Sequence, residues 1–154
     1  MRRSKYWLPP VIWMSVIFWF STDTFSAAHT GSILEPILRH LYPPITETQI
    51  DITHFLVRKT AHFFSYALLA LLLFRAMRAG SEVRWRWSWA VASFLIVAVY
   101  AVFDEYHQSF TRERTPSIYD SLLDMTGGLF ALSARWVGSS QSARARRPAT
   151  GQVK

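Results

Sequence analysis

The side chains in this sequence that could do chemistry lie in three short segments. Within each segment most of the polar residues are three or four positions apart, so they share one face if the segment is a helix. The segments contribute Lys59 and His62; Asp104, Glu105, His107 and Gln108; and Asp120 and Asp124. Each segment adjoins a long apolar run, where ionisable residues are costly and usually functional. We therefore expect the three faces to converge on one polar site.

These residue types suit acid–base chemistry beside a phosphate. An imidazole next to a carboxylate can act as a general acid or base. The predicted catalytic residues are His62, Asp104, His107 and Asp124. Basic side chains bind phosphate and stabilise the charge that develops on it, so the head group of a phospholipid or a polyprenyl phosphate would fit such a site. The predicted binding residues are Lys59, Glu105, Gln108, Arg112, Arg114 and Asp120.

Most of these residues also have a purely structural interpretation. Asp104 and Lys59 can form an interhelical ion pair that only holds the helices together, and His62 can be a buried core histidine. Asp120 can act only through the dipole at the start of its helix. Glu105 directly follows Asp104 and so points about 100° away from it, toward solvent or lipid head groups. The sequence leaves these alternatives open.

A metal site is a further alternative for the same residues. Asp104 and His107 offer oxygen and nitrogen ligands on one helix face, an arrangement that suits metal ions in helical bundles. A third ligand would come from His62 or Asp124. No H-E-x-x-H signature is present, so we predict neither a metal nor a cofactor. The chain has no cysteine, which excludes disulfides, thiolate nucleophiles and cysteine-ligated zinc.

The apolar residues that position these segments form blocks, with the charged residues between the blocks. Of the 154 residues, 51% are hydrophobic, and a soluble domain would intersperse them with charge. The pattern predicts an all-α integral membrane bundle of four transmembrane helices with a short interfacial helix in the first outer loop. A capping-box pattern at Thr46 and Gln49 predicts where the second spanning helix begins. The predicted spans are about 6–21, 55–74, 87–107 and 116–137, and the interfacial helix is about 30–42.

The distribution of basic residues predicts the orientation of the bundle. With the N-terminus inside, the inner side holds twelve of the 17 lysines and arginines and one acid, Glu82. Basic residues are in excess on the cytoplasmic side of membranes, so an N-in/C-in arrangement is predicted, and the polar segments then lie at the outer face. Residues 1–137 would form the transmembrane domain and residues 138–154 a disordered basic cytoplasmic tail. Gly127 and Gly128 would let a neighbouring helix approach closely.

The ordered combination of motifs resembles one protein family. The motifs are Arg58-Lys59-x-x-His62-Phe63-x-x-Tyr66, Asp104-Glu105-x-His107-Gln108, Arg112-x-Arg114, and Asp120-x-x-x-Asp124 with Gly127-Gly128. Over about residues 21–134 they resemble the VanZ-like family, which is named for an accessory protein of teicoplanin resistance. The chain departs from that family at Asp124, where many members carry Asn. The resemblance implies a multi-pass protein of the bacterial inner (plasma) membrane that is linked to the cell envelope.

Two functions fit the sequence. The first is an enzyme in the membrane that acts on a phospholipid or lipid-linked head group. The second is a non-catalytic envelope factor, accessory to glycopeptide resistance, that binds lipid or drug. Both make membrane lipid or a lipid-linked precursor the expected partner. Nucleic acid is excluded, because the basic residues behind the net charge of +7 lie at membrane flanks and in the tail.

A small transporter or proton path is disfavoured, because the inner halves of the last two spans have almost no polar residue. The oligomeric state is left unknown.

Overall fold

The computed structural model describes residues 4–22, 27–110 and 117–145. Helices joined by short turns make up this part of the chain, and it contains no strand, so the all-α prediction is confirmed. The five helices are α1 (Ser4–Phe20), α2 (Ala27–Leu41), α3 (Glu47–Arg78), α4 (Trp87–Gln108) and α5 (Ile118–Ala145).

The helix that organises the bundle, α3, begins and ends at residues whose local chemistry fixes its bounds. Thr46 is the N-cap, and the predicted capping box is formed: the Thr46 side chain accepts from the Gln49 amide while the Gln49 side chain accepts from the Thr46 amide. At the other end Ala79 adopts a left-handed conformation with φ 44°, and Gly80 follows with φ 79°. Glycine adopts such a φ without strain, so the chain turns there toward α4.

α3 packs against each of the other four helices. Its closest neighbour is α5, and two adjacent glycines of α5 explain how close the helices come. A Cβ at Gly127 would lie 2.2 Å from the carbonyl oxygen of Phe63 on α3. A Cβ at Gly128 would lie 2.9 Å from Val97 on α4. The close approach predicted for the two glycines is therefore present, and it lets α5 contact α3 and α4 at once.

A hydrophobic core lies between these helices and holds α1 in place. Its fully buried members include Tyr66, Leu69 and Val97. Two polar side chains attach α1 to the core: the Trp13 indole donates to Ser65 O at 2.9 Å, and the Tyr100 hydroxyl donates to Met14 O at 2.6 Å. These bonds use the backbone carbonyls of helices, which accept a second hydrogen bond readily because each carbonyl has two lone pairs.

The outer surface of the bundle is apolar. α3 and α4 are long and apolar enough to cross a membrane. Large hydrophobic side chains are exposed on α1, α3, α4 and α5 alike, among them Val11, Phe64, Val99 and Phe130. The four-span arrangement and its orientation remain predictions, for which this surface is the supporting observation.

The last helix extends further than the sequence suggested. A span ending near residue 137 was predicted, with a disordered tail from residue 138, but α5 continues to Ala145. Ser139 and Ser140 donate their hydroxyls to Trp136 O at 2.7 and 3.1 Å, inside the helix. Serine-rich composition was taken as a sign of disorder, yet serine hydroxyls can bond to the preceding helical turn in this way. Residues 146–154 lie outside the described part of the chain.

Candidate functional site

The polar segments meet near one end of the bundle, where α1 and α4 end and α3 and α5 begin. Phe18 near the end of α1 packs against His107 near the end of α4, with the ring centroids 4.2 Å apart and the ring planes tilted by 36°. Glu105 of α4 reaches Ser117, which directly precedes α5. The polar segments of α3, α4 and α5 are thus brought to the same end, as the sequence predicted.

Two pairs of side chains connect α3 to α5 at this end. Lys59 donates to Asp120, with the two side chains 21% and 16% exposed. One turn further along both helices, His62 Nδ1 lies 3.3 Å from Asp124 Oδ1. The pairs are in register because both helices begin at this end and run parallel. Lys59 therefore pairs with Asp120, and not with Asp104 as the sequence alternative had it.

The second pair belongs to a cluster of three side chains: His62, Asp104 and Asp124. One ligand atom from each lies within 4.8 Å of the others. Asp104 is 1% exposed and Asp124 is fully buried. Asp104 Oδ2 accepts from Gln108 Nε2 at 3.1 Å. Asp104 Oδ1 and Asp124 Oδ2 accept no hydrogen bond from the described residues.

The surrounding packing explains how a carboxylate comes to be buried at Asp124. Gly127, one turn further along α5, brings the α5 backbone against α3, so the Asp124 side chain is held in the interior. Ser121 donates to Ala101 O on α4 at 3.4 Å, which holds α5 from the other side. Tyr66, one turn beyond His62 on α3, is fully buried beside both carboxylates. Tyr66 therefore borders the cluster on the side of the bundle interior.

Glu105 has a structural contact that the sequence did not suggest. It was expected to face solvent or lipid head groups, but it is 6% exposed. Its Oε2 accepts from the backbone amide of Ser117 at 2.7 Å, so it satisfies one of the amides that the start of α5 leaves without a helical partner. Its predicted role in binding a substrate is not supported by this position.

Of the remaining predicted site residues, one contacts a side chain of the cluster, and the others do not belong to the cluster as described. Gln108 is buried and orients Asp104. His107 packs on Phe18 and is not one of the three clustered residues. Arg112 and Arg114, the predicted phosphate ligands of the loop, lie outside the described residues.

A pocket of about 420 Å³ opens beside the cluster, in the groove between α1 and α3. His62 and Tyr66 line it, so the pocket and the cluster share a wall. Its polar lining residues on α3 are concentrated toward the start of the helix, and the other walls are mainly apolar. The pocket is lined by apolar residues that include Trp13, Ile17, Phe20, Phe55 and Ala61, and by the polar residues Asp51, His54 and Arg58.

Sequence reasoning did not find this pocket. Trp13, Phe20 and Phe55 contribute its walls, and in the sequence they look like any other apolar residue of a membrane helix. Helical periodicity marks which residues share a face but not which face of α1 meets α3. The useful signal would have been Trp13, which the aromatic preference for membrane interfaces does not explain because it lies in mid-span.

Comparison with known proteins assigns the family. No curated protein and no solved structure matches the chain. The family model described as VanZ/LLP1 matches residues 6–137, which include all three clustered residues and both glycines of the α3–α5 contact. With the two helices long enough to span a bilayer, this match indicates a membrane protein. Because it covers most of the sequence, the chain belongs to the VanZ/LLP1 family.

Proposed function

We propose that this protein is an enzyme of the bacterial cell envelope that acts on the head group of a phospholipid or a lipid-linked precursor. The observation that carries the proposal is that His62 belongs both to the polar cluster and to the lining of the pocket. It contacts the buried carboxylate of Asp124 and also lines the pocket between α1 and α3. A reactive group at the boundary between a polar cluster and an apolar pocket suits a substrate with a polar head and an apolar chain.

The pocket has the size and character of a lipid site. Its volume of about 420 Å³ falls within the range of about 300–1,000 Å³ that is common for ligand pockets. Trp13, Ile17 and Phe55 offer apolar contacts to a chain, while Arg58 offers a cation to an anionic head group. The mix of apolar walls and polar residues in one pocket supports an amphipathic ligand.

The cluster can act on such a head group in two ways. In the first, Asp124 accepts from His62 Nδ1, which fixes the tautomer and leaves Nε2 to take a proton from an attacking hydroxyl. In the second, the imidazole and the two carboxylates would hold a cation, which would supply Lewis-acid chemistry toward a phosphate oxygen. The first uses His62 and Asp124, and the second adds Asp104; ligand atoms of all three are already within 4.8 Å of one another. Lys59 forms an ion pair with Asp120, so its contribution to the site is to hold α3 against α5.

The membrane setting follows from the same proposal. We place the cluster at the outer face of the inner membrane, in a four-span bundle with both termini in the cytoplasm. The basic residues near the α3–α4 turn, Arg75, Arg78, Arg84 and Arg86, support this orientation because cytoplasmic loops are rich in lysine and arginine. The start of α1 lies at the same end, since the Tyr6 hydroxyl would be 2.8 Å from a Cβ at Gly80.

The experiment is a lipid conversion assay on the purified full chain in nanodiscs. The discs contain defined phospholipids or an undecaprenyl-linked phosphate, and lipids are extracted and followed by mass spectrometry. We expect a change of head-group mass with the native chain and a loss of at least about 100-fold in rate with His62→Gln, since general acid–base catalysis contributes about 100-fold to 10,000-fold. The matched control is His40→Gln, an exposed histidine on α2, which should convert lipid at the native rate. Equal rates for His62→Gln and the native chain would overturn the proposal.

The alternative is a non-catalytic factor that binds the same lipid or a drug. The observation that favours it is that Lys59, Asp120 and Glu105 form contacts between helices. Such contacts are expected if polar residues at this end serve to hold the bundle together. The same assay separates the two functions, because a binding factor retains lipid in the purified protein without changing any head-group mass.

A further inference from the structure

We infer that His62, Asp104 and Asp124 bind one divalent transition cation such as Mn²⁺ or Zn²⁺. The site is the three-residue cluster between α3, α4 and α5. The role of the cation toward a head group rests on the proposed function, whereas its binding does not. The sequence predicted no metal because the H-E-x-x-H signature is missing. The proximity of the three ligand atoms and the burial of the two carboxylates are stronger grounds for a metal site than that missing signature is against one.

The first argument is the balance of charge in the cluster. Asp104 and Asp124 are both almost completely buried, and Asp104 Oδ1 and Asp124 Oδ2 accept no hydrogen bond from the residues that the structure describes. A protonated His62 would offset one negative charge, and Lys59 is already engaged by Asp120. An uncompensated charge away from water is costly, and a divalent cation compensates both carboxylates at once.

The second argument is the distance between the donor atoms. The three donor atoms lie within 4.8 Å of one another, so a point between them is within about 2.8 Å of each, where metal–ligand bonds are about 2.1 Å long. Movements of less than about 1 Å would therefore complete the site. Each ligand is supplied by a different helix, and Gln108 already holds Asp104 in place at 3.1 Å. Such supporting hydrogen bonds orient metal ligands in known sites.

The third argument concerns the kind of ion and its open side. A set of one imidazole and two carboxylates suits Mn²⁺ or Zn²⁺ better than Mg²⁺ or Ca²⁺, which prefer oxygen ligands alone. Three protein ligands leave coordination positions for water or substrate, as in catalytic metal sites. Because His62 also lines the pocket between α1 and α3, these positions would be reached by the phosphate of a lipid bound there.

The test measures binding of the metal alone to the full chain in detergent. The affinity tag is removed, the protein is treated with a chelator, and Mn²⁺ or Zn²⁺ is titrated by calorimetry, with the retained metal then counted by mass spectrometry. We expect one ion per chain. Asp124→Asn and His62→Gln should each weaken binding at least about 100-fold, because loss of even an outer partner of a ligand costs about 10–100-fold. The matched controls Glu82→Gln and His40→Gln, both exposed, should bind as the native chain does.

Thermal unfolding provides a second readout that guards against misfolded variants. Metal should raise the midpoint of the native chain and leave that of Asp124→Asn unchanged. In chelator, Asp124→Asn should be at least as stable as the native chain, because it removes a buried charge without changing the shape of the side chain. A native chain that takes up no more metal than Asp124→Asn would overturn the inference.

The outcomes also separate this inference from the proposed function. Lipid conversion that persists in chelator, with no ion bound, contradicts the metal site and leaves the enzyme. One bound ion with no conversion of any lipid supports the metal site and contradicts the enzyme.

Discussion

At the scale of single residues, the buried acids differ in what satisfies them. Asp120 has Lys59, and Glu105 has the amide of Ser117. Glu105 Oε1, Asp104 Oδ1 and Asp124 Oδ2 each lack a hydrogen bond among the described residues. Of these acids, Asp104 and Asp124 also have ligand atoms within 4.8 Å of His62, so they are the ones placed to share a proton, an ion or a substrate with an imidazole.

Glu105 provides a prediction about the fold alone. Glu105→Ala should lower the free energy of unfolding by about 1–2 kcal/mol, because the Ser117 amide loses a charged acceptor. Glu105→Gln should lower the free energy of unfolding by less, since the amide oxygen of glutamine can accept the same hydrogen bond. Chemical unfolding in detergent, followed by circular dichroism, measures both. Equal losses for the two variants would show that the hydrogen bond to Ser117 is not what stabilises the loop.

The sequence identified the reactive residue types better than their partners. The spacing of Lys59 and His62 placed them on one helix face, and the structure keeps them there. Which acid each one meets depends on how far α5 is shifted along α3. That offset is set by packing at Gly127, a contact whose partner on α3 no pattern in the sequence specifies.

At the scale of the helices, the contact between α3 and α5 positions the site. Gly127 leaves room for the Phe63 carbonyl, and the Lys59–Asp120 and His62–Asp124 pairs form in the turns that precede this close approach on both helices. The site therefore depends on a residue that has no side chain and takes no part in the chemistry.

Gly127→Ala should separate the two helices, because its Cβ would come 2.2 Å from a backbone oxygen that cannot rotate away. We expect the free energy of unfolding to fall by about 3 kcal/mol or more, at the upper end of the cost of overpacking, and the rate of lipid conversion to fall as well. Thermal unfolding in detergent gives the first quantity. The matched control is Gly138→Ala on the same helix, where a Cβ meets nothing within 4 Å and alanine should be neutral or stabilising. Similar midpoints for the two variants would contradict this account of the contact.

Helix bounds were predicted well where local chemistry sets them. Thr46 and Gln49 formed the expected capping box, and α4 ends at Gln108, one residue beyond the prediction. α5 continues to Ala145, past residue 137 where the predicted span ended, and its last turns contain serines whose hydroxyls bond to the helix itself. Composition alone does not distinguish such turns from a flexible tail.

At the scale of the whole molecule, the bundle has an apolar outer surface and one buried polar end. Exposed hydrophobic side chains lie on α1, α3, α4 and α5, and also on α2 at Ile37 and Leu41, which fits a helical bundle in contact with lipid. Blocks of hydrophobic sequence predicted this surface, since the requirement for length and apolar composition is nearly independent of how the helices pack.

The orientation can be tested cleanly because the chain has no native cysteine. Thr48→Cys lies at the start of α3 and Glu82→Cys in the α3–α4 turn, and both positions are exposed. With the polar end outside, a membrane-impermeant maleimide added to spheroplasts should label Thr48→Cys at once and Glu82→Cys only after lysis. The reverse pattern would contradict the N-in/C-in arrangement.

The most direct test of the central claim asks whether a lipid occupies the pocket beside His62. Ala61 lines that pocket, so Ala61→Trp should fill it, whereas Val99→Trp adds the same bulk to the exposed surface of α4. The measurement is native mass spectrometry of the full chain released from membranes, which counts bound lipids. The account predicts one retained lipid on the native chain and on Val99→Trp, and none on Ala61→Trp. Equal retention by the two tryptophan variants, or a native chain that carries no lipid, would contradict it.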